Sequence, residues 1–306
     1  MVPIVRNFPW INSIAAMVPV ALLKAINPHV AGFRMFHLLS EGHTEKIKAH
    51  LSSGRERDEY HEKTSVFHHL LLSDLPEAEK EPGRLNREAF ALLAAGTIAT
   101  AATLTLITYF VLQDPVIQDR LRDELKEAMA CYPEKVPRWT DLEKIPYLTG
   151  CIKEGLRYAP IPHGMLNLCL RQLYEHSLAR FMRRSPRISP DQDLQYKQWT
   201  IPKNTPVGMS VCHLHMDPEV YPDPYKFVPD RWIGDVDPRV NRNFVPFVRA
   251  PGTAWASRMY IVLSILFRPG GHKMSLDCDE SDIVPIHDSD VGTPKPDSRG
   301  LRVRFE

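Results

Sequence analysis

Glu154 and Arg157 are the first residues whose types and spacing could do chemistry. In Glu154-Gly155-Leu156-Arg157 a carboxylate and a guanidinium stand three positions apart. On a helix they share a face and can present one paired unit to a third partner. Left in water, the same pair would be a surface ion pair worth little. The other reactive candidates are soft donors. Five cysteines (Cys131, Cys151, Cys169, Cys212 and Cys278) are scattered without a C-x-x-C pair, which suggests neither a zinc site nor a disulfide framework. Reduced, buried structural thiols are the simpler reading. His163, His213 and His215 could bind a metal by their chemistry, but a lone histidine is usually structural or solvent-facing. No ligand is assigned to any of them.

The chain that must position these groups has 306 residues, 43% hydrophobic and 25% charged, with a formal net charge of +1. That suffices for one large core or two smaller ones. So small a net charge gives no field to draw nucleic acid or an anionic membrane, so neither is a default partner. No stretch reads as a spanning helix, which needs about 20 apolar residues. Ile11 to Ile26 is short, interrupted by Pro19, and carries Lys24; Met1 to Pro9 has Arg6 as its only basic residue. Taken as it stands, the chain carries no anchor and is expected to be cytoplasmic.

Helices dominate the first half. Ile11–Ile26 is apolar nearly all round, and Val30–Leu51 is more amphipathic, as in helices that cover a pocket or rest on a membrane surface. A polar break (Ser52–Lys63) and a short apolar helix (Ser65–Leu72) precede an acidic linker, Ser73–Gly83. The longest element is expected over Asn86–Leu112, with Asn86 as its cap and Asp114-Pro115 as its stop. Its middle, Ala91–Thr108, carries no charge, so this is expected to be the most buried, central helix. Pro115–Met129 reads as an amphipathic surface helix, and Thr140–Tyr158 as two short helices broken at Pro146. Short strands are expected around Thr200–Met209, then an aperiodic Pro218–Trp232, a last apolar helix Met259–Phe267 and a terminal strand Leu301–Phe305. The fold class is therefore mainly α, an α-rich α+β fold.

A second motif follows the Glu154–Arg157 pair. Pro224-Tyr225-Lys226-Phe227-Val228-Pro229-Asp230-Arg231-Trp232 has the form P-x-x-F-x-P-x-R-W. Its order in the chain is specific: an uncharged helix, E-x-x-R, strands, this meander, and then Phe244-Val245-Pro246-Phe247. In that order the chain resembles the C-terminal two-thirds of a cytochrome P-450, a haem-thiolate monooxygenase, of the filamentous-fungal kind that acts on terpenoid-like secondary metabolites. The resemblance implies a Glu154–Arg157–Arg231 structural triad. It also places Ala95, Gly96, Thr97 and Thr100 in the oxygen and substrate region of the central helix, and Arg184 on a haem propionate. The strand pair after the E-x-x-R helix is matched by Arg187–Asp191 and Trp199–Pro202. The family's first helices, N-terminal sheet and anchor have no counterpart.

Three places depart from the pattern. After A-G-x the family has an acid and a threonine for proton delivery, where this chain has Ile98 and Ala99. An isoleucine cannot shuttle protons, and Thr97, Thr100 and Thr103 are read as bonding back to their own helix. Residues 165–180 look like an aberrant insert, because removing them joins Gly164 to Phe181 as an ordinary helix-to-strand connection; an unspliced short intron would explain them and make Cys169 accidental. Finally, after Arg249 the family continues G-x-R-x-C-x-G, whose cysteine binds the iron. Here Ala250-Pro251-Gly252-Thr253-Ala254-Trp255-Ala256 holds none. Codons for these residues, read from the third base of Ala250, permit Arg, Cys and Gly at the proper spacing. A lost base or misplaced splice boundary near Arg249, with the frame resuming by Tyr260, would account for the loss.

The expectation is one incomplete domain over 1–306: pocket-covering helices (1–83), central helix to E-x-x-R helix (84–164), the insert (165–180), then strands, meander, disrupted loop and last helix (181–306). By resemblance the lineage uses haem b, a small lipophilic substrate and NADPH-cytochrome P-450 reductase, and its full-length members sit at the endoplasmic reticulum membrane surface. This chain lacks the axial cysteine expected between Arg249 and Tyr260 and should be inactive. Two other readings stand beside it: a non-catalytic helical remnant binding an apolar ligand, and an unrelated helical scaffold whose motifs are coincidence.

Overall fold

A computed structural model describes residues 17–26, 34–35, 38–39, 42, 45, 66–158, 188–207, 211–246, 253–283, 295 and 297–305. Val30–Leu51 and Ser52–Lys63 fall wholly or mostly outside these, as do His163, residues 165–180, Arg184 and residues 247–252. Among the described residues the fold is mainly helical with two small sheets, and the chain divides into two compact units between Ile98 and Ala99.

The first unit holds α1 (Val20–Ile26), α2 (Val66–Leu72), a 3-10 turn (Glu77–Lys80) and the start of α3 (Pro82–Gln113). Helix α3 begins four residues before the expected cap. Pro82 opens it, because a first-turn proline lacks only an N–H that would have no helical partner. Asn86 therefore lies inside the helix and is half-buried. Arg84 reaches Glu79 at 3.2 Å and Glu88 at 3.3 Å. The expected all-round burial is also corrected. Leu92 is 52% exposed, and Thr97, Ala101 and Ala102 stand exposed, while Thr100, Thr103 and Leu106–Val111 are buried. An uncharged surface does not by itself bring a neighbour to cover it.

In the second unit α3 stops at Gln113, and the Asp114 carboxylate accepts the Val116 N–H at 2.9 Å, capping α4 (Pro115–Leu125). Ile117, Leu121 and Leu125, spaced by one turn, form the buried face of α4. Turns rather than helix carry the chain on to Met129. Helices α5 (Trp139–Leu142) and α6 (Pro146–Tyr158) follow on either side of the break expected at Pro146. Ten of the 13 residues of α6 are buried, and this helix, rather than α3, is the core of the unit. Phe110 of α3 meets Tyr158 edge-on at 5.1 Å and stacks on Phe227 at 5.0 Å.

Strands β1 (Leu194–Tyr196) and β2 (Trp199–Ile201) form an antiparallel hairpin, with Lys197 at its turn in the left-handed region. Helix α7 (Val211–His215), a 3-10 turn (Pro229–Trp232), α8 (Pro238–Asn243) and α9 (Thr253–Leu266) come next. Helix α9 starts six residues earlier than expected, so Thr253–Arg258 is helical rather than loop. Strand β3 (Met274–Leu276), α10 (Glu280–Ile283) and β4 (Val303–Phe305) close the chain; β4 pairs antiparallel with β3, Met274 opposite Phe305. Among the described residues, no single helix is long and apolar enough to cross a membrane.

Candidate functional site

Helix α6 carries the one dense polar cluster in the described core. Its start is fixed from outside, since the Tyr147 N–H donates to Glu124 Oε2 of α4 at 3.0 Å and so satisfies an end amide that the helix cannot. Gly150 lies one turn before Glu154, where a Cβ would come within 2.7 Å of the Pro229 carbonyl oxygen. That glycine lets the 3-10 turn Pro229–Trp232 lie directly on the helix. One turn further along, Glu154 and Arg157 face the same turn.

Glu154 is fully buried. Its Oε1 accepts from Arg157 Nη2 (2.7 Å), the Val228 N–H (3.1 Å) and Arg231 Nε (3.3 Å). Its Oε2 accepts from Arg157 Nε (2.9 Å) and Trp232 Nε1 (2.9 Å). Arg157, also fully buried, sends Nη1 to the carbonyls of Pro224 (2.8 Å) and His215 (2.9 Å), and more weakly to Met216 Sδ (3.4 Å). Its Nη2 also reaches the Lys226 carbonyl at 3.3 Å. Arg231 adds a bond from Nη2 to the Asp223 carbonyl at 2.7 Å, and Asp223 is left-handed there, which an aspartate tolerates. The structure thus brings Glu154, Arg157 and Arg231 together around one carboxylate.

Burial tunes the neighbours. The Tyr221 phenol, which donates to the Val240 carbonyl at 3.0 Å, is pushed up to about 12 by desolvation, partly offset by the nearby Arg157 charge. Desolvation lowers Lys153, whose ammonium lies 5.6 Å from the Trp232 ring centre. It also raises the Cys151 thiol strongly, against the thiolate. Tyr158 donates its hydroxyl to the Tyr225 carbonyl.

What can this arrangement do? A carboxylate offers about four lone-pair directions, and five donors already occupy those of Glu154. No proton or lone pair is left for a substrate, so the cluster is an anchor that ties the meander to α6. Acid–base chemistry is not available to it.

The other expected residues lie elsewhere. Ala95, Gly96, Thr97 and Thr100 are all on α3, with Gly96 half-buried, Thr97 exposed and Thr100 buried. Thr100 stands two turns, about 10 Å along the axis, before Ile107, the residue that meets Gly155 of α6. Arg184 is outside the described residues. His213 is exposed; His215 is buried and hydrogen-bonded through both ring nitrogens. Sequence reasoning missed Trp232 as a donor to Glu154, although the R-W pair that closes the meander holds it. For His215 it left a structural role, a solvent-facing one and metal ligation open, and no periodicity marks its two hydrogen bonds.

Among the cysteines whose side chains are described, none fits as the thiolate donor to a haem iron. Cys151 is a core residue of α6, Cys131 is exposed rather than buried, and Cys278 is half-buried. Among the described residues no group of three or more His, Cys, Asp and Glu could hold a metal ion. Thr253–Arg258, at the place of the expected ligand loop, is the first part of α9.

Comparison with known proteins gives the wider frame. The cytochrome P-450 family model matches residues 8–169 and 178–248. The chain is 42% identical to cytochrome P-450 monooxygenase sdnH of Sordaria araneosa, over 98% of this chain and 53% of that protein. It is 41% identical to stellatic acid synthase of Emericella variicolor, over 89% of this chain and 54% of that one. To fusicoccadiene C-8 hydroxylase of Phomopsis amygdali it is 38% identical, over 99% of this chain and 56% of the relative. The chain spans about half the length of the curated relatives it matches.

Proposed function

This chain belongs to the cytochrome P-450 family, and on that premise we propose that its lineage oxidises, by hydroxylation, a small lipophilic, terpenoid-like secondary metabolite, while the polypeptide as written lacks the axial thiol for the reaction. The fungal relatives named above support the substrate class, one of them by its name a hydroxylase acting at C-8 of fusicoccadiene. Electrons would come from an NADPH-dependent reductase, and the full-length lineage would work at the endoplasmic reticulum membrane surface. Haem, bound through a thiolate, would supply the oxygen activation.

One observation carries the reading. The Glu154–Arg157–Arg231 anchor is complete and satisfied, yet no thiol stands in Phe247–Ala256, the segment that follows it in the chain. Two features of the family match support this: it omits residues 170–177, inside the proposed insert 165–180, and it ends at 248, where the frame change is proposed.

The test is spectroscopic. Expressed as written, reduced and exposed to carbon monoxide, the protein is expected to show no thiolate Soret band. A version re-read through the alternate frame after Arg249, with 165–180 removed and the rest of the relatives' length restored, is expected to show it. Sequencing the transcript across Gly164–Phe181 and Arg249–Tyr260 gives the independent check. A thiolate band from the chain as written would overturn the reading and make another cysteine the ligand.

A further inference from the structure

We propose that His215 is a positioning residue: as the neutral Nδ1–H tautomer it ties Val245, at the entry to the segment where a ligand loop belongs, to the C-terminal end of α6. The ring is fully buried on α7. Nδ1 lies 3.1 Å from the carbonyl oxygen of Arg157, which can only accept, so Nδ1 must carry the proton. Nε2 lies 3.0 Å from the Val245 N–H, which can only donate, so Nε2 must be bare. One ring thereby reads an acceptor on one side and a donor on the other, and only one tautomer satisfies both.

The same residue closes a reciprocal link with Arg157. The His215 ring donates to the Arg157 carbonyl, and the Arg157 guanidinium donates to the His215 carbonyl at 2.9 Å. The imidazole stacks on Phe244 at 5.8 Å, and Phe244 packs at 4.7 Å on Trp232, which itself donates to Glu154. Residues 244–245 are therefore indexed to the Glu154 anchor from two sides, by a hydrogen bond and by a ring stack. The clamp stands on its own geometry; its service to a ligand loop rests on the function proposed above.

The test uses the full chain, without haem, so its failure is distinct from failure of the spectroscopic test. Nitrogen-15 shifts of the His215 ring report the tautomer, and amide exchange is followed at Val245 and, as a core control, at Ile107. An asparagine amide reaches the Nδ1 position and a glutamine amide the Nε2 position. His215→Gln is thus expected to keep Val245 protected within about twofold, while His215→Asn speeds its exchange roughly tenfold, the equivalent of one lost net hydrogen bond. Ile107 is expected to stay slow in both. An Nε2–H tautomer, equal Val245 exchange in the two variants, or equal acceleration at Ile107 would each overturn the proposal. Should neither variant fold, the tautomer of the unmodified chain decides.

Discussion

Arg157 shows how much one side chain can hold when burial removes water as a competitor. Its guanidinium serves the Glu154 carboxylate, three backbone carbonyls and a thioether, all from a fully buried position. A lysine carries the same charge but has one compact head and three donors, and cannot span those partners. Arg157→Lys is expected to destabilise the chain by about 3 kcal/mol or more, because it leaves a buried carboxylate and several carbonyls short of donors. Trp232→Phe removes a single donor from the same carboxylate and should cost about 2 kcal/mol. Urea unfolding of the two variants checks the order; equal losses would mean that the cluster is not apportioned as its geometry says. The Glu154–Arg157 spacing was legible in the sequence because helical geometry alone puts i and i+3 on one face. Its burial was not, since the same spacing describes a solvated surface pair, and only the meander folding back onto α6 separates the two cases. The backbone acceptors, the carbonyls of Pro224 and Lys226, have no signature in residue type at all.

At the scale of elements, the contact between α3 and α6 depends on a missing side chain. A Cβ at Gly155 would fall well inside contact distance of Ile107 Cγ1 and Cδ1. Ile107 is itself fully buried, so it has nowhere to retreat. Gly155→Ala is therefore expected to destabilise by about 1–3 kcal/mol through overpacking, although alanine is the better helix former. Ile107→Ala empties the space and costs about 2–5 kcal/mol alone. Combined, the two changes should cost less than their sum, and a double-mutant cycle measures the difference. Strict additivity would show that the helices do not meet there. This close approach explains why helix ends were read more easily than helix packing. Pro115 and Pro146 mark boundaries locally, whereas Gly155 in the E-G-L-R run reads only as a weak point in a helix until its neighbour is known. The same limit explains the error at Thr253–Arg258, where a loop was expected by resemblance although Ala254 and Ala256 favour helix.

For the molecule as a whole, the large core cluster among the described residues lies in the second unit. The main core draws on Leu106–Val111 of α3, Ile117, Leu121 and Leu125 of α4, most of α6, and Met259, Leu263 and Phe267 around α9. The helical class and the order of elements were legible because each motif sits at a helix or turn boundary. The distribution of burial along α3 was not, because a run without charges shows that no residue demands water and leaves open whether any neighbour excludes it. That distribution has a measurable consequence. Every amide beyond the first turn of α3 can bond four residues back, so differences in hydrogen exchange along it report local opening rather than the presence of a partner. Leu85 and Ala89 are buried near the start of α3, Leu92 and Thr97 are exposed, Thr100 and Thr103 are buried, and burial becomes continuous from Leu106 to Val111. Protection is therefore expected to step up within this one helix after the exposed stretch at Leu92 and Thr97, whose amides exchange through local opening. Those of Leu106–Val111 should exchange as slowly as those of Cys151–Tyr158, through the opening of the whole unit. The step should also survive Arg157→Lys, with the slow amides of α3 and α6 accelerating together and the early amides of α3 unchanged. Uniform protection along Pro82–Gln113 would contradict this account, because Leu92, Thr97, Ala101 and Ala102 stand exposed within that helix.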